Sequence, residues 1–448
     1  MQSKKSVVRL RAFSGITHMA YENVLKNPDD FNFEIEQLGE ASHSNPCSQE
    51  IFVEDSEKII FSSQIKNLSH QLQACKQLPA FEKAGARKKI FHNPATTRAA
   101  IITCGGLCPG LNNVIKGFVN VLEQDYGVKE IVGIRYGYKG LTETSNHEPI
   151  QLNSSVVEQI HKQGGTILGS SRGNQDPEIM VDELQLRKIN LLFCIGGDGT
   201  LKGAQAIAEA ANKRQANISV VGVPKTIDND LDKTFTTFGF DTAVSFATEC
   251  IDRLHSTAAS HRRIMVVEVM GRYAGWIALH SGIAANAHGI LIPEIPYDID
   301  QLAAHLLARE AAGQHYAIVI AAEGANPVGG NATLQEQAGT GYVERLGGIG
   351  EKLAHELQQK TGKETRAVVL GHLLRGGSPS AFDRVSAMRF GAAAVRALDE
   401  GHSGIMVALA FPDVNYVALE EVAGRMKNVP LNSDCLQTAR DLHICLGD

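Results

Sequence analysis

The sequence has no apolar run of the roughly 20 residues that a membrane-spanning helix needs. Its first twenty residues, MQSKKSVVRLRAFSGITHMA, also lack the continuous apolar core of a signal peptide. The formal net charge is -6 at pH 7, which gives no general attraction to nucleic acid or to an anionic membrane. We therefore expect a cytoplasmic protein whose partners include neither nucleic acid nor a membrane.

Metal-binding cysteine patterns are also absent. The eight cysteines are scattered over 448 residues, and Cys104 and Cys108 in CGGLC form the one close pair. No histidine or second cysteine pair stands at the spacing of a zinc site. The cysteines are interpreted as buried, reduced thiols.

The chain is longer than one hydrophobic core usually organises, so two domains and an appendage are expected. Residues 1–95 are polar and irregular, and they are predicted to be an N-terminal extension. From residue 98 short β-branched runs alternate with helical stretches, which predicts an α/β fold with mainly parallel sheets. The predicted strands are RAAIITC, EIVGIRY, INLLFCI, ISVVGV, RIMVVEV, YAIVIAA, RAVVLG and GIMVALA, enough for two sheets.

In open sheets of this kind, ligands bind beyond the carboxyl ends of the strands. The first strand is followed by CGGLCPGLNN, in which Gly105, Gly106 and Gly110 precede a helix. Glycine lets the backbone approach a phosphate, and a helix N-terminus supplies free N–H donors. The spacing matches neither the P-loop nor GxGxxG, so a turn that serves packing alone stays an alternative.

A second glycine-rich turn, IGGDGT, contains Gly197, Asp198, Gly199 and Thr200 ahead of a long helix. A carboxylate beside a bound phosphate is unfavourable unless a cation lies between them, and Mg²⁺ is the usual bridge. The turn therefore predicts a nucleotide with magnesium at Asp198. The alternative is that Asp198 caps the helix.

The run VVGVPKTIDNDLD places Thr226, Asp228 and Asp230 at every second position, so extended backbone would direct them to one side. Phosphoryl transfer to an alcohol needs an acceptor for the hydroxyl proton, and one of the aspartates suits that role. Lys225 offers a charge for phosphate and keeps the carboxylates ionised. An ordinary surface turn is the alternative.

Basic side chains flank several later strands, and arginine binds phosphate through two hydrogen bonds. They are Arg272, His372 and Arg375 at strand ends, and Arg263 and Arg366 at strand beginnings. Together they predict a second phosphate site. Glu323 in IAAEG is a candidate acceptor for sugar hydroxyls.

The order of these motifs resembles the 6-phosphofructokinase family. The matching segments are GGLCPGLN, GYKGL, GGTILGSSR, IGGDGT, PKTIDND, SHRRIMVVEVMGRYAGW and TRAVVLGHLLRGG, over about residues 98 to 400. The resemblance implies two Rossmann-like domains and transfer of phosphate from Mg·ATP to the 1-hydroxyl of fructose 6-phosphate, a step of glycolysis. It divides the chain into an extension (1–95), a nucleotide domain (96–239 with 374–424) and a fructose 6-phosphate domain (240–373 with 425–448).

The resemblance also implies roles on the phosphoryl-donor side. Asp228 is expected to be the general base, Asp230 to support it and Asp198 to bind magnesium. The other residues implied around the nucleotide and the transferred phosphoryl are Gly105, Gly106, Tyr138, Arg172, Gly197, Gly199, Thr200, Lys225 and Thr226.

On the sugar side the resemblance implies contacts with the sugar and its 6-phosphate. Those expected from the same chain are Thr226, Asp228, Asp230, Met270, Gly271, Arg272, Glu323, His372 and Arg375. Arg263 and Arg366 are expected to reach the 6-phosphate in a neighbouring subunit. Shared sites imply a homo-oligomer, usually a homotetramer built of dimers.

The phosphoryl donor depends on two positions. Gly199 stands where pyrophosphate-using members carry aspartate, so it favours ATP, whereas lysine at Lys225 is typical of the pyrophosphate users. A longer ATP-using branch, known from plants and trypanosomatids, combines both residues. We predict ATP as the donor, with pyrophosphate as the alternative. Two features depart from the short bacterial enzymes of the family. Leu107 stands where those enzymes have aspartate, and their effector-binding residues are not recognisable in this sequence.

Two other functions are weighed. An NAD or lipid kinase shares GGDGT but has no use for PKTIDND together with the histidine and arginine cluster. A non-enzymatic sugar-phosphate-binding subunit would be expected to lose Asp228 or Asp198, and both are present. The glycine-rich segment 324–348 is interpreted as a tolerated insertion, with a mobile loop and an effector pocket as alternatives.

Overall fold

The computed structural model describes residues 33–47, 52–65, 68–69, 72, 78–142, 147–336, 345–397 and 401–448. Within these residues the chain forms a nine-stranded sheet, a four-stranded sheet and two small two-stranded ribbons. Residues 1–32 of the predicted extension and residues 337–344 of the 324–348 segment therefore lie outside the described residues.

The strands follow in chain order. They are β1 (His43–Ser44), β2 (Lys58–Ile60), β3 (Ala80–Lys83), β4 (Lys89–Ile90), β5 (Arg98–Thr103), β6 (Glu130–Gly133), β7 (Ile150–Gln151), β8 (Leu191–Gly196), β9 (Ser219–Pro224), β10 (Ile264–Val269), β11 (Gly289–Leu291), β12 (Ala317–Ala322), β13 (Leu334–Glu336), β14 (Arg345–Leu346), β15 (Thr365–Val369), β16 (Ile405–Ala410) and β17 (Asp413–Ala418).

The α-helices of the described residues are numbered in the same way. They are α1 (Leu111–Asn120), α2 (Lys139–Thr142), α3 (Ser154–Val157), α4 (Pro177–Leu186), α5 (Asp198–Lys213), α6 (Phe240–His261), α7 (Trp276–Ala284), α8 (Ile299–Ala311), α9 (Ile349–Thr361), α10 (Ala381–Ala397) and α11 (Asp434–Asp441). A π-helical turn (Val121–Asp125) and 3₁₀ turns (Ile160–Lys162, Gly371–Arg375, Leu419–Glu421) complete them.

The large sheet has the order β2-β3-β17-β16-β9-β8-β5-β6-β7. Its centre, from β16 to β6, is parallel, and antiparallel strands are added at both edges. Every residue of β8 and β9 is buried, as expected for parallel strands that helices cover on both faces. Strands β2 and β3 come from the predicted extension, so part of that polar region forms an edge of the large sheet.

The second sheet is fully parallel, in the order β11-β12-β10-β15. All eight predicted strands are present in the two sheets, which confirms the α/β class. The sequence analysis missed five strands of the two sheets, namely β2, β3, β7, β11 and β17. The three residues of β11 are too few to form a recognisable apolar run. Strand β17 pairs antiparallel with β16 and follows it without an intervening helix, so the alternation of strands and helices does not predict it.

Helices α1 and α10 pack closely against each other because each carries a glycine where the two helices cross. A Cβ atom on Gly391 would lie 2.7 Å from the carbonyl oxygen of Val114, and one on Gly117 would lie 3.0 Å from that of Met388. Larger side chains would therefore push the helices apart. This contact fixes α1, and with it the glycine-rich turn that precedes α1. None of the helices in the described part of the chain is long and apolar enough to cross a membrane.

A buried histidine at the edge of the second sheet links stability to pH. His288 is 7% exposed, and its Nδ1 accepts a hydrogen bond of 2.8 Å from the backbone N–H of Ile318. Burial lowers the pKa of His288 from 6.5 to about 4, with Arg309, His255 and His305 acting in the same direction. Its imidazole is therefore neutral in the folded protein at pH 5 to 6, whereas it would be charged in the unfolded chain.

We predict that His288→Asn makes the protein less sensitive to acid, because an amide can accept from Ile318 but does not titrate. The neutral histidine stabilises the fold fully above pH 6.5, and this contribution falls by about 1 kcal/mol per pH unit as the pH drops towards 4. Urea unfolding from pH 7 to 5 measures it. His261→Asn, at the exposed end of α6, is the matched control and should follow the wild type; parallel pH curves for wild type and His288→Asn would contradict the prediction.

Candidate functional site

A cleft of about 300 Å³ opens where β5, β8 and β9 end. Four loops line it, at residues 104–107, 171–174, 197–200 and 225–230, and Arg375 closes it from the side of the second sheet. Parallel strands bring these loops together because their carboxyl ends share one edge of the sheet. The cleft thus collects the strand-end motifs that the sequence singled out.

The first glycine-rich turn faces three cationic side chains. Gly105 has φ +80°, a conformation that suits glycine, and the Nζ of Lys225 donates to the carbonyl oxygen of Gly106. A Cβ atom on Gly106 would lie 3.5 Å from the guanidinium carbon of Arg375 and 3.7 Å from an Nη of Arg172. A turn surrounded by two guanidinium groups and an ammonium is suited to a phosphate chain.

The second turn starts α5. Gly197 precedes the helix in extended backbone, and Asp198 is its first residue. The Asp198 carboxylate accepts from the backbone N–H of Gly424 at 2.5 Å and pairs with Lys202 at 2.7 Å. It does not cap its own helix, so the capping alternative is not met.

Tyr138 lies behind this turn. Its hydroxyl donates to the carbonyl oxygen of Thr200 at 2.6 Å, and a Cβ atom on Gly203 would lie 2.6 Å from its ring. The ring is 6% exposed. Tyr138 borders the cleft, but its hydroxyl is engaged in holding the start of α5.

Gly199 is the open position of the turn. No heavy atom lies within 4 Å of a Cβ atom built on it, and it lines the cleft. Packing against the protein therefore does not require glycine there. The space in front of Gly199 is available to a ligand.

The PKTIDND segment is bent. The backbone is extended through Pro224, and Asn229 then adopts φ +52°, so the expectation of extended backbone across the motif is not met. The backbone N–H of Asp228 donates to the hydroxyl of Thr226 at 3.1 Å, which closes a tight turn. Thr226, Asp228 and Asp230 nevertheless all line the cleft.

Asp228 is electrostatically unusual. Its pKa is raised to about 7, mainly by burial and also by Asp230 and Glu323, while Arg375 and Lys225 oppose the shift. Its Oδ1 is enclosed and has no hydrogen-bond partner among the described residues. A carboxylate that takes up a proton near neutral pH, and whose oxygen is not engaged in a hydrogen bond, is suited to general base catalysis.

The neighbouring charges are also affected by the low-dielectric surroundings. Burial raises the pKa of Asp230, which the Thr226 hydroxyl and Lys427 lower in part. Burial lowers the pKa of Lys225 and of Arg375, and Asp228 acts against burial in both cases. The carboxylates and the cations of the cleft thus stabilise each other's charged forms.

The second sheet supplies the opposite wall. The backbone N–H of Glu323 donates to the Val269 carbonyl at 2.9 Å, which fixes the ends of β12 and β10 together. Burial raises the pKa of Glu323, and Arg375 lowers it. Met270 is buried, and Gly271 has φ +140°, where an added Cβ atom would lie 2.8 Å from the carbonyl oxygen of Ala274. Glu323 and Asp228 therefore face a common cation, Arg375, from the two sheets.

The remaining basic residues divide into two groups. His372 and Arg375 lie on the 3₁₀ turn after β15, His372 exposed and Arg375 in the cleft, and Arg272 follows β10 with its guanidinium 5.0 Å above the Tyr273 ring. The other group comprises Arg263 and Arg366, which both pair with Glu364, at 3.0 Å and 2.6 Å. Arg263 and Arg366 lie where β10 and β15 begin, at the opposite end of these strands from the cleft. They therefore do not reach the cleft of their own chain.

Three residues that the sequence analysis did not single out touch the site. Lys202 pairs with Asp198, Gly424 donates to Asp198, and Lys427 donates to Asn229 between the two aspartates. Lys202 could have been found from its i,i+4 spacing to Asp198 on a predicted helix. Gly424 and Lys427 lie about 200 residues from their partners and carry no local signal.

Comparison with known proteins agrees with this geometry. A family model described as phosphofructokinase matches residues 98–398. An ATP-dependent 6-phosphofructokinase of Streptomyces coelicolor is 46% identical over 341 residues, covering 74% of this chain and 96% of the relative. A pyrophosphate–fructose 6-phosphate 1-phosphotransferase of Amycolatopsis mediterranei is 48% identical over 341 residues, covering 75% and 96%.

A solved structure gives the fold independently. The crystal structure of a pyrophosphate-dependent phosphofructokinase from Marinobacter aquaeolei superimposes with a TM-score of 0.67 at 23% identity, covering 79% of this chain and 92% of that one. The residues that the family model matches, 98–398, contain the whole second sheet and every loop of the cleft. The chain belongs to the phosphofructokinase family.

Proposed function

We propose that the protein transfers the terminal phosphoryl group of Mg·ATP to the 1-hydroxyl of fructose 6-phosphate, giving fructose 1,6-bisphosphate and ADP. The observation that carries this proposal is Asp228, which lies beside cations from both sheets. Its pKa is about 7, and its enclosed Oδ1 has no hydrogen-bond partner in the part of the chain that the structure describes. A regulatory subunit that only binds sugar phosphate would have no need to hold a carboxylate in this state.

In the proposed reaction Asp228 accepts the proton of the 1-hydroxyl as the sugar oxygen attacks the terminal phosphorus, and ADP leaves. Asp230 would support the site, and Thr226, whose hydroxyl accepts from the backbone N–H of Asp228, would contact the sugar or the transferred phosphoryl group. Arg172, Lys225 and Arg375 would neutralise the charge on the transferred group. Positioning and electrostatic stabilisation of this kind supply most of the catalysis in phosphoryl transfer.

The site fits magnesium held mainly by the substrate. The described residues contain no cluster of three or more histidine, cysteine or acidic side chains poised around an ion. Mg²⁺ often takes one or two carboxylates and completes its coordination with water and phosphate oxygens. Asp198, at the turn before α5, would supply that carboxylate, and the ion would reduce the repulsion between Asp198 and the nucleotide.

The donor has to be decided by the site, because relatives named for ATP and for pyrophosphate are 46% and 48% identical to this chain. Gly199 supports ATP, since the space in front of it is open for a nucleotide phosphate. Gly105, Gly106, Gly197, Thr200 and Tyr138 would surround the same nucleotide. Pyrophosphate stays the alternative donor because Lys225 is compatible with both.

For the sugar, we propose that Met270, Gly271, Arg272 and Glu323 surround the ring and that His372 and Arg375 bind the 6-phosphate. The nucleotide domain would comprise 96–239 with 374–424, and the sugar domain 240–373 with 425–448. The sheets support this division, since β16 and β17 join the large sheet and α11 packs on α7. We place the protein in the cytoplasm.

Arg263 and Arg366 support a homo-oligomer with shared sites. Both guanidinium groups lie at the beginnings of their strands, on the side away from the cleft of their own chain. They would reach the 6-phosphate bound by a neighbouring subunit. Glu364, which pairs with both, would hold them in position.

Asp228→Asn should lower kcat about 1,000-fold, because the amide cannot accept the hydroxyl proton. Fructose 6-phosphate should still bind, since the substitution keeps the shape of the side chain. Steady-state kinetics and calorimetric titration with the sugar phosphate measure the two effects. Asp182→Asn, on α4 and paired with Arg214, is the control that should retain activity. An unchanged rate in Asp228→Asn would remove Asp228 from the mechanism.

Gly199→Asp should lower kcat/KM for Mg·ATP at least about 10-fold, through repulsion between the new carboxylate and the nucleotide phosphates. The protein should fold normally because the added side chain enters open space. Gly199→Asn has the same size without the charge and separates the two effects. Rates with Mg·ATP and Mg·pyrophosphate are measured on each protein. Wild-type turnover mainly with pyrophosphate would reverse the donor assignment and leave the base in place.

Arg366→Ser and Asp228→Asn subunits should complement each other when they are co-expressed. Each would be inactive alone, but a mixed oligomer would contain sites with the base from one chain and the arginine from the other. Activity of purified mixed oligomers, compared with either variant alone, measures the effect. Complete absence of recovered activity in verified mixed oligomers would contradict the shared site.

A further inference from the structure

The segment from Gly424 to Val429 crosses from the large sheet to the second sheet directly behind the cleft. Three of its backbone N–H groups donate hydrogen bonds to oxygen atoms of acidic residues. Gly424 donates to the Asp198 carboxylate at 2.5 Å, Lys427 to the Asp230 carbonyl at 2.9 Å, and Val429 to the Glu294 carboxylate at 2.8 Å. One short stretch of chain therefore touches both carboxylate loops of the cleft and the second sheet.

Lys427 is the central residue of this segment. Its ammonium donates to the Oδ1 of Asn229 at 2.8 Å and to the carbonyl oxygens of Thr234 and Phe235 at 2.9 Å and 3.1 Å. Its own carbonyl accepts from the indole N–H of Trp276 at 2.8 Å. All three donors of the ammonium are thus used on the loop that carries Asp228 and Asp230.

Asn229 is the residue through which Lys427 reaches the catalytic loop. It lies between the two aspartates, is 5% exposed and has φ +52°. A left-handed backbone is unfavourable for residues that carry a Cβ atom, and asparagine tolerates it best because its short polar side chain can hydrogen-bond nearby groups. Here the Asn229 Oδ1 accepts from Lys427 and also, at 3.2 Å, from the backbone N–H of Thr237.

The left-handed residue determines where the aspartates point. If Asn229 adopted the ordinary right-handed or extended conformation, the chain direction would change between Asp228 and Asp230, and the two carboxylates could not both line the cleft. Burying an ammonium is unfavourable, and burial lowers the pKa of Lys427 to about 7 while Asp232 and Asp230 oppose it. The three hydrogen bonds offset that cost only in this arrangement of the loop.

We propose that Lys427 is a positioning residue for phosphoryl transfer, which holds Asn229 in its left-handed conformation and thereby places Asp228 and Asp230 against the substrates. This inference rests on the proposed function of Asp228. Lys427 does not itself line the cleft, so it acts through Asn229 and not by contact with the reacting groups.

Lys427→Met, Asn229→Ala and the double variant test the proposal. Misplacement of a base by about 1 Å lowers the rate about 100-fold, so kcat should fall by about that factor in Lys427→Met. KM for fructose 6-phosphate should change less than about threefold, because most of the proposed sugar contacts, including Arg272, Glu323 and Arg375, lie outside the loop that Lys427 holds. The double variant should be no worse than the more affected single variant, since both substitutions break one connection.

Trp276 is the single tryptophan of the chain, and it reports on the same contact. The Lys427 ammonium lies 5.7 Å from its ring, so its fluorescence should change in Lys427→Met. Titration of this fluorescence with fructose 6-phosphate gives the dissociation constant independently of turnover. A dissociation constant close to that of the wild type, together with the fall in kcat, separates positioning from loss of the fold.

Lys363→Met is the matched control. Lys363 is also a partly enclosed lysine, paired with Glu310 and the carbonyl of His315 at the other end of the second sheet. Its kcat should stay within about threefold of the wild type. A general penalty for removing an enclosed ammonium would lower stability in both variants and kcat in neither.

The outcomes are distinct. A kcat for Lys427→Met within about threefold of the wild type, or additive losses in the double variant, overturns the inference. If Lys427→Met does not fold, Asn229→Ala decides alone, and unchanged kcat in it overturns the inference. Wild type and Asp228→Asn are measured alongside. No phosphorylation of fructose 6-phosphate by the wild type with either donor refutes the proposed function, and full activity of Asp228→Asn removes the base on which the inference rests. An inactive Asp228→Asn with a normal Lys427→Met refutes the positioning role alone.

Discussion

The site depends on one electrostatic balance, in which a largely enclosed Asp228 faces Lys225 from its own loop and Arg375 from the second sheet. Each group alone would be costly in this position. Burial raises the pKa of the carboxylate and lowers the pKa of both cations. Removing one partner would leave an uncompensated charge in a poorly solvated place, so the three have to be kept together. The relative position of the two sheets is thereby tied to the chemistry of the cleft.

The architecture holds this balance at the carboxyl ends of parallel strands. The loops after β5, β8 and β9 meet at one edge of the large sheet, and those after β10, β12 and β15 meet at an edge of the second. The segment after β17 then ties the loops of Asp198 and Asp230 to the second sheet through Glu294. Buried strands supply rigidity, while the unusual backbone conformations at Gly105 and Asn229 are confined to the loops.

Family membership and donor choice are different kinds of question. Membership follows from the shared order of glycines, aspartates and arginines over most of the chain, and relatives at 46% and 48% identity make it plain. The donor depends on the space and charge around one or two side chains. Overall identity averages over hundreds of positions, so it cannot decide a choice that depends on what stands at Gly199.

Much of the fold could be predicted from the sequence. The buried runs from RAAIITC to GIMVALA are apolar because parallel strands are covered on both faces, and all eight form strands. The loops that carry Gly105, Asp198 and Asp228 could also be placed at the cleft, because strand polarity fixes which end of each run matters. Strands β11 and β17 could not be predicted. The run of β11 is only three residues long, and the antiparallel pairing of β17 with β16 leaves no distinctive pattern in the sequence.

The sequence by itself determined the α/β alternation, the family and the residue types at the cleft, because these follow from local composition and from the order of motifs. The tertiary structure alone decided the bend at Asn229, the reach of Lys427 across about 200 residues and the outward position of Arg263 and Arg366. It also decided the shifted pKa of Asp228, since burial and the distances to Lys225, Arg375 and Glu323 arise only when distant segments pack together. Local patterns specify which groups are present, and the electrostatic state of each group depends on neighbours that the fold alone supplies.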